Sequence, residues 1–148
     1  MNMKNAFKQL FVILALSLLP GATAFSEETT ASPEKVIFHV DDTKNARWAL
    51  MLANTYLEDS PDARIVFVTY GPGIDFLLTG SKDRKGNSYA SALNNLADKG
   101  VAFRLCEKTL EFREIPKDKV WDGVEIVADG IKEIVRLQSS EGFAYLKP

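Results

Sequence analysis

The sequence predicts an α/β fold, a three-layer sandwich with a mainly parallel sheet of about five strands. Short runs rich in β-branched and aromatic residues alternate along the chain with helical segments, most of them about ten residues or longer. Parallel strands can be joined only by crossovers of this kind. The strand-like runs are also apolar throughout rather than alternating, which is typical of strands covered by helices on both faces.

The elements follow in the order β-α-β-α-β-α-β-α-β, with no internal repeat. Glycine or proline ends most of them, and the first helix has Asp42 or Thr43 available as its N-cap. Residues 80 to 87 form a charged loop that we expect to be solvated and mobile. The predicted strands span residues 35–40, 63–70, 101–105, 124–127 and 143–146, and the predicted helices span residues 44–60, 74–78, 88–99, 107–114 and 130–141.

Residues 1 to 24 have the three parts of a secretory signal peptide. Two lysines precede an apolar run over residues 10 to 19, a Pro-Gly pair ends that run, and a small-residue triplet ends at Ala24. The run is about half the length that spans a bilayer. We expect cleavage after Ala24 and a periplasmic product, without a membrane anchor because no cysteine lies near the cut to carry a lipid.

The remainder divides into a leader and one domain. Residues 25 to 34 are rich in Ser, Thr and Glu and predict a flexible leader, whereas residues 35 to 148 have the length of one domain with one core. Removal of the signal takes away two lysines and no acids, so the formal charge falls from -2 to -4, with 16 basic and 20 acidic residues. This balance offers no basic footprint for nucleic acid.

Motifs for common cofactors are incomplete in this sequence. Gly71 and Gly73 follow a strand, as in a dinucleotide loop, but Phe76 stands where the third glycine would be, and the chain contains no Gly-Lys-Ser/Thr triplet for a phosphate loop. His39 is the only histidine, and with one distant cysteine it does not make a zinc site. We therefore predict no metal and no organic cofactor.

Residues that follow the strands are the candidates for a site, because open α/β sheets bind ligands at the carboxyl ends of their strands. For Asp41 and Asp42 we favour a role in capping the next helix, and for Gly71-Pro72-Gly73 a tight turn. His39 is a packed strand residue or, alternatively, the partner of Cys106 in a Cys-His pair. The two tryptophans, Trp48 and Trp121, are assigned to core or interface packing. The strand-end candidates are Asp41-Asp42, Gly71-Pro72-Gly73, Cys106 and Ala128-Asp129.

Cys106 is the strongest of these candidates. It is the only cysteine, so it is a buried small hydrophobe, an intermolecular disulfide linker or a reactive thiol. It ends a predicted strand and begins a predicted helix, where the helix dipole favours the thiolate, while the neighbouring Glu107 opposes it. The residues alone leave a functional and an inert cysteine equally open.

The run over residues 100 to 106, followed by a short helical segment, resembles the region around the cysteine of the DsrE/DsrF-like family. This family includes the sulfur-relay subunits of the Tus and Dsr systems. The resemblance extends to the first strand, to the strand-glycine unit at residues 66 to 71 and to the chain end at residues 130 to 146. The family pattern Cys-x-Asn-Thr reads here Cys106-Glu107-Lys108-Thr109.

The resemblance implies a homo-oligomer, a trimer or hexamer, in which Cys106 binds or relays sulfane sulfur as a persulfide. A sulfur donor or acceptor protein would be its partner. One cysteine suffices for this chemistry, whereas a dithiol oxidoreductase needs a second. The alternative is a non-enzymatic oligomeric module that binds a small ligand or a partner and has an inert cysteine. Whether the protein is an enzyme stays open between the two.

Overall fold

The structure is a computed structural model that describes residues 32–148. The predicted signal peptide and most of the predicted leader lie outside these described residues. Within residues 32–148, no helix has both the length and the apolar character needed to cross a membrane.

A single five-stranded sheet with the order β4-β3-β2-β1-β5 is the centre of the fold. Every neighbouring pair of strands is parallel, so the predicted α/β class is confirmed. The predicted strands match the observed ones to within one residue at each end. The strands are β1 (Lys35–Val40), β2 (Arg64–Thr69), β3 (Ala102–Cys106), β4 (Val124–Val127) and β5 (Ala144–Leu146).

Within residues 32–148, four α-helices connect the strands, together with three short 3₁₀ helices. The first helix begins later than its predicted cap, because Asp42 caps a 3₁₀ turn instead: its carboxylate accepts a hydrogen bond from the backbone N–H of Lys44 at 2.9 Å. The helices are α1 (Ala46–Asp59), α2 (Ala90–Asp98), α3 (Glu107–Phe112) and α4 (Gly130–Glu141), and the 3₁₀ helices are Thr43–Asn45, Gly71–Leu77 and Lys117–Lys119.

Helices cover both faces of the sheet, which gives the three layers. One face packs on α1, α2 and the 3₁₀ helix Gly71–Leu77 in the larger apolar cluster, to which Leu110 of α3 also belongs. The other face packs on α4 in a smaller cluster, where Ile134 and Leu137 contact Ile37 and Val68. The separation follows from side-chain alternation, which sends neighbouring strand residues to opposite faces.

Among the five strands, only β1 and β2 are almost completely buried. All but the first residue of β1 and of β2 is buried, whereas β3 alternates and the three residues of β5 are exposed. The expectation of apolar strands throughout therefore fails at β3, since Arg104 points to the face that α4 covers and pairs there with Glu125 and Glu133. The single helix α4 does not cover the part of this face at Arg104, and the ion pairs of Arg104 with Glu125 and Glu133 lie there.

Aromatic rings fix the central strands to one another on the opposite face. Phe67 of β2 stacks on Phe38 of β1 at 5.3 Å and on Phe103 of β3 at 5.0 Å between ring centroids. The edge of Trp121 then contacts Phe103 at 5.5 Å, which agrees with the packing role predicted for this tryptophan. Trp48, by contrast, is 55% exposed on α1. The stack joins the middle of β1, β2 and β3 on this face.

Two loops near the carboxyl ends of the strands have defined backbone contacts. Gly73 lies so close to β1 that an added Cβ would be 1.9 Å from the carbonyl oxygen of Val40, so glycine is required there. In the charged loop, the carboxylate of Asp83 accepts hydrogen bonds from the backbone N–H groups of Lys85 and Asn87, each at 2.9 Å. The predicted charged loop is thus internally hydrogen-bonded, and its mobility stays a prediction.

Candidate functional site

The strand order defines where a ligand crevice forms. The chain steps from β1 to β4 across the sheet with α1, α2 and Leu110 of α3 on one face, and then returns through α4 on the other face to β5. The connections that leave β3 and β4 therefore turn to opposite sides of the sheet. In open α/β sheets this divergence opens the binding crevice at the carboxyl ends of the two strands.

Cys106 lies at this crevice. It is the last residue of β3, pairs with Val127 of β4 and immediately precedes α3. Its thiol is free and the residue is 6% exposed. The start of α4 packs directly on it, since a Cβ added to Gly130 would lie 3.1 Å from the Cys106 Cβ. Any side chain at position 130 would therefore crowd the cysteine.

A cavity of about 780 Å³ opens beside the cysteine. Three of the four strand-end segments predicted from the sequence meet here, and Asp41-Asp42 is the exception. The cavity has apolar walls with a few charged and hydroxyl groups, the usual character of a ligand site. Its lining comprises Tyr70, Gly71, Pro72, Cys106, Lys108, Thr109, Phe112, Arg113, Asp129 and Ile131.

An ion pair joins the two sides of the crevice. The Lys108 ammonium of α3 donates to the Asp129 carboxylate at 2.7 Å, and Asp129 also caps α4 by accepting from the backbone N–H groups of Ile131 and Lys132. The hydrogen bond from Lys108 holds the pKa of Asp129 below its ordinary value. The same bond raises the pKa of Lys108, and negative charge on Cys106 raises it further. The Lys108 ammonium therefore interacts electrostatically with an anion at Cys106.

Backbone contacts hold α3 against the end of β2. The Thr109 hydroxyl accepts a hydrogen bond from the backbone N–H of Gly71 at 3.0 Å, and Arg113 donates to the Gly71 carbonyl at 3.2 Å. Arg113 also forms an ion pair with the Asp75 carboxylate, with the nearest nitrogen and oxygen 2.6 Å apart. The angles of this contact are not those of a hydrogen bond. Thr109, which matches the family pattern, thus has a structural role at the wall of the cavity.

His39 does not form a pair with Cys106. It lies on β1, which β2 separates from β3, and its Nδ1 is 2.6 Å from the Tyr145 hydroxyl. Its ring contacts that of Tyr70 at 4.6 Å, and burial is the main cause that lowers its pKa. The alternative of a packed strand histidine describes this residue, and the Cys-His alternative fails because the two strands are not neighbours.

Other candidates lie outside the cysteine cavity. Asp41 pairs with Lys147 at 2.6 Å, and Asp42 lines a neighbouring cavity of about 850 Å³ that is bounded largely by charged side chains. We place the candidate site in the smaller cavity because Cys106 lines it. Within residues 32–148, no three His, Cys, Asp or Glu side chains come together as metal ligands.

Several site residues were not singled out from the sequence. Tyr70, Phe112 and Ile131 read there as ordinary core or surface positions, and Phe112 is in fact 90% exposed at the cavity. Gly130 was predicted only to open a helix. The one available signal was that each lies within a few residues of a strand end or of Cys106.

The arrangement defines a class of protein: a parallel α/β domain with one free thiol at the carboxyl end of a strand, in the wall of a cavity. Comparison with known sequences narrows this class to a family. The sequence profile of the DsrE/DsrF-like family matches residues 34–148, and the chain belongs to this family. Its fold is accordingly sulfur-relay-like. No curated protein matches the chain.

Solved structures agree with this assignment. The chain is similar to MTH1491, a protein of unknown function from Methanobacterium thermoautotrophicum, with 28% identity and a TM-score of 0.68 over 78% of this chain and 99% of that one. It is also similar in fold to the YchN protein from E. coli, with 18% identity and a TM-score of 0.64 over 78% of this chain and 99% of that one.

Proposed function

We propose that this DsrE/DsrF-like protein binds or relays sulfane sulfur as a persulfide on Cys106 in the periplasm. The observation that carries the proposal is the position of the only thiol, at the carboxyl end of β3 where the connections leaving β3 and β4 diverge, and in the wall of a cavity of about 780 Å³. Free cysteines in apolar cores have no such access to a ligand space.

The transfer needs no second cysteine and no cofactor. The Cys106 thiolate attacks the outer sulfur of a donor, forming a new S–S bond while the donor's S–S bond breaks. The leaving group takes the electron pair: a thiolate leaves from a donor persulfide, and sulfite leaves from thiosulfate. The outer sulfur of the resulting Cys106 persulfide then passes to an acceptor thiolate in the same way, which regenerates the Cys106 thiolate.

Export and assembly belong to the same proposal. The signal-peptide pattern of residues 1 to 24 supports a periplasmic location. Exposed apolar side chains support a homo-oligomer, a trimer or hexamer: Trp48 and Met51 on α1 are 55% and 49% exposed, and Ile131 and Val135 on α4 are 60% and 59% exposed. A sulfur donor or acceptor protein would dock where the cavity opens.

A binding module with an inert cysteine is the second candidate. The observation that favours it is the burial of the thiol, with 6% of Cys106 exposed, beside Phe112, which is 90% exposed. An exposed aromatic side chain over a cavity suits recognition of a ligand or partner even when the cysteine is inert.

Thiol accessibility separates the two candidates. We would treat the native mature protein with iodoacetamide and follow Cys106 by intact mass, with the denatured protein as the reference for full reaction. A persulfide carrier is alkylated in the native state at a rate within about a hundredfold of the denatured rate. A native protein that resists alkylation for as long as it stays folded favours the inert-cysteine module. Non-reducing electrophoresis of the same samples detects an intermolecular disulfide.

A further inference from the structure

The ion pair between Lys108 and Asp129 is placed to control charge at the thiol. Lys108 belongs to α3, which follows β3, and Asp129 precedes α4, which follows β4, so the pair connects the two sides of the crevice at 2.7 Å. Both residues line the cavity that contains Cys106. Neither belongs to the apolar core: Lys108 is exposed and Asp129 is partly buried.

The two members of the pair act on Cys106 with opposite signs. An anion at Cys106, either a thiolate or a persulfide, is repelled by the Asp129 carboxylate and attracted by the Lys108 ammonium. While the pair is closed, the two effects oppose each other at the cysteine. The other charged groups nearby, Glu107 with its partner Lys117 and Arg113 in the cavity wall, are the same in every variant tested below. Loss of one member leaves the charge of the other uncompensated beside the sulfur.

We propose that Lys108 and Asp129 are positioning residues that set the reactivity of Cys106 through this balance of charge. Asp129 holds the Lys108 ammonium and limits its attraction for anionic sulfur, and Lys108 cancels the repulsion from Asp129. They act through Cys106 and not on the transferred sulfur. The part of the inference that concerns the persulfide rests on the proposed function, whereas the part that concerns the thiolate does not.

Four variants test the balance: Lys108→Met, Asp129→Asn, the double variant and Lys85→Met. Asparagine caps helices about as well as aspartate, so Asp129→Asn keeps the start of α4. The Lys85 side chain is exposed, makes no ion pair within the described residues and lies in the neighbouring charged loop, so Lys85→Met removes the same charge away from the site. Circular dichroism and thermal unfolding verify the fold of each variant.

The readout is the pH profile of Cys106 alkylation by iodoacetamide, a neutral reagent. For Lys108→Met we expect the rate at neutral pH to fall roughly threefold to tenfold and the profile to move to higher pH, because one positive charge is removed from the wall of the solvated cavity that contains Cys106. For Asp129→Asn we expect the opposite shift of similar size. The double variant returns close to the wild-type profile, and Lys85→Met stays within about twofold of it.

Shifts in the same direction for both single variants, or shifts no larger than that of Lys85→Met, overturn the inference. If native Cys106 does not react in the wild type, the comparison rests on Asp129→Asn alone: a gain of reactivity supports control by the pair, and continued resistance overturns it. Sulfur uptake from thiosulfate is measured in parallel. Opposite alkylation shifts without sulfur uptake would leave the inference standing and reject the proposed function.

Discussion

Replacement of Phe67 by alanine tests the aromatic stack that joins β1, β2 and β3. Phe67 is fully buried and its ring contacts those of Phe38 and Phe103. Truncation of a buried phenylalanine costs about 3–5 kcal/mol, because apolar area is lost and a cavity remains. Domains of this kind typically have a free energy of unfolding of about 5–15 kcal/mol, so we expect a loss of roughly a fifth or more.

Urea unfolding of the variant, followed by tryptophan fluorescence and by circular dichroism, measures this loss. With a slope of about 2 kcal/mol per molar urea, the unfolding midpoint falls by about 2 M. Phe112→Ala is the matched control, since the same side chain is 90% exposed there and its removal changes the free energy of unfolding by about 0.5 kcal/mol or less. Equal midpoints for the two variants would refute the packing described for the central strands.

Two further predictions concern the backbone and the buried histidine. Gly73→Ala places a methyl group on the backbone of β1, so we expect a loss of about 3 kcal/mol or more in urea unfolding; a loss below 1 kcal/mol contradicts the close approach. The pKa of His39 is lowered from its ordinary value, chiefly through burial, and Asp41 opposes while Lys147 reinforces that shift; the rings of Tyr70 and Tyr145 pack against the imidazole. The unfolded chain therefore binds the proton more tightly, and the free energy of unfolding falls as the pH falls below 6.5. His39→Gln should remove this dependence between neutral pH and about pH 5, and an unchanged slope would contradict it.

Much of the fold was predictable because each strand carries a local pattern. The runs at β1 and β2 are apolar on both faces and follow each other through helices, which fixes parallel pairing without long-range information. The exception is β3, where Arg104 interrupts the pattern. Arg104 forms an ion pair with Glu133 of α4, which is distant in sequence. No local rule reports such a pairing.

The sequence predicts which residues follow the strands, but it does not predict which strands are neighbours in the sheet. The sequence indicated that residues after strands meet at one edge, and Cys106, Gly71 and Asp129 do share a cavity. The order β4-β3-β2-β1-β5 was not available from the sequence, so the pairing of β3 with β4 and the crevice between them were not predicted. Because the strand order is not available from the sequence, His39 remains a candidate partner for Cys106 there. In the structure, β2 lies between the strands of the two residues.

Intact mass spectrometry of the mature protein, after incubation with thiosulfate or polysulfide, tests the central claim most directly. Cys106→Ser is the control, and a reductant chase follows the loading. A persulfide carrier gains about 32 Da, the mass of one sulfur atom, on wild-type protein only, and the reductant removes the gain because it cleaves the S–S bond. Wild-type protein that gains no sulfur while Cys106 reacts fully after denaturation would contradict the claim.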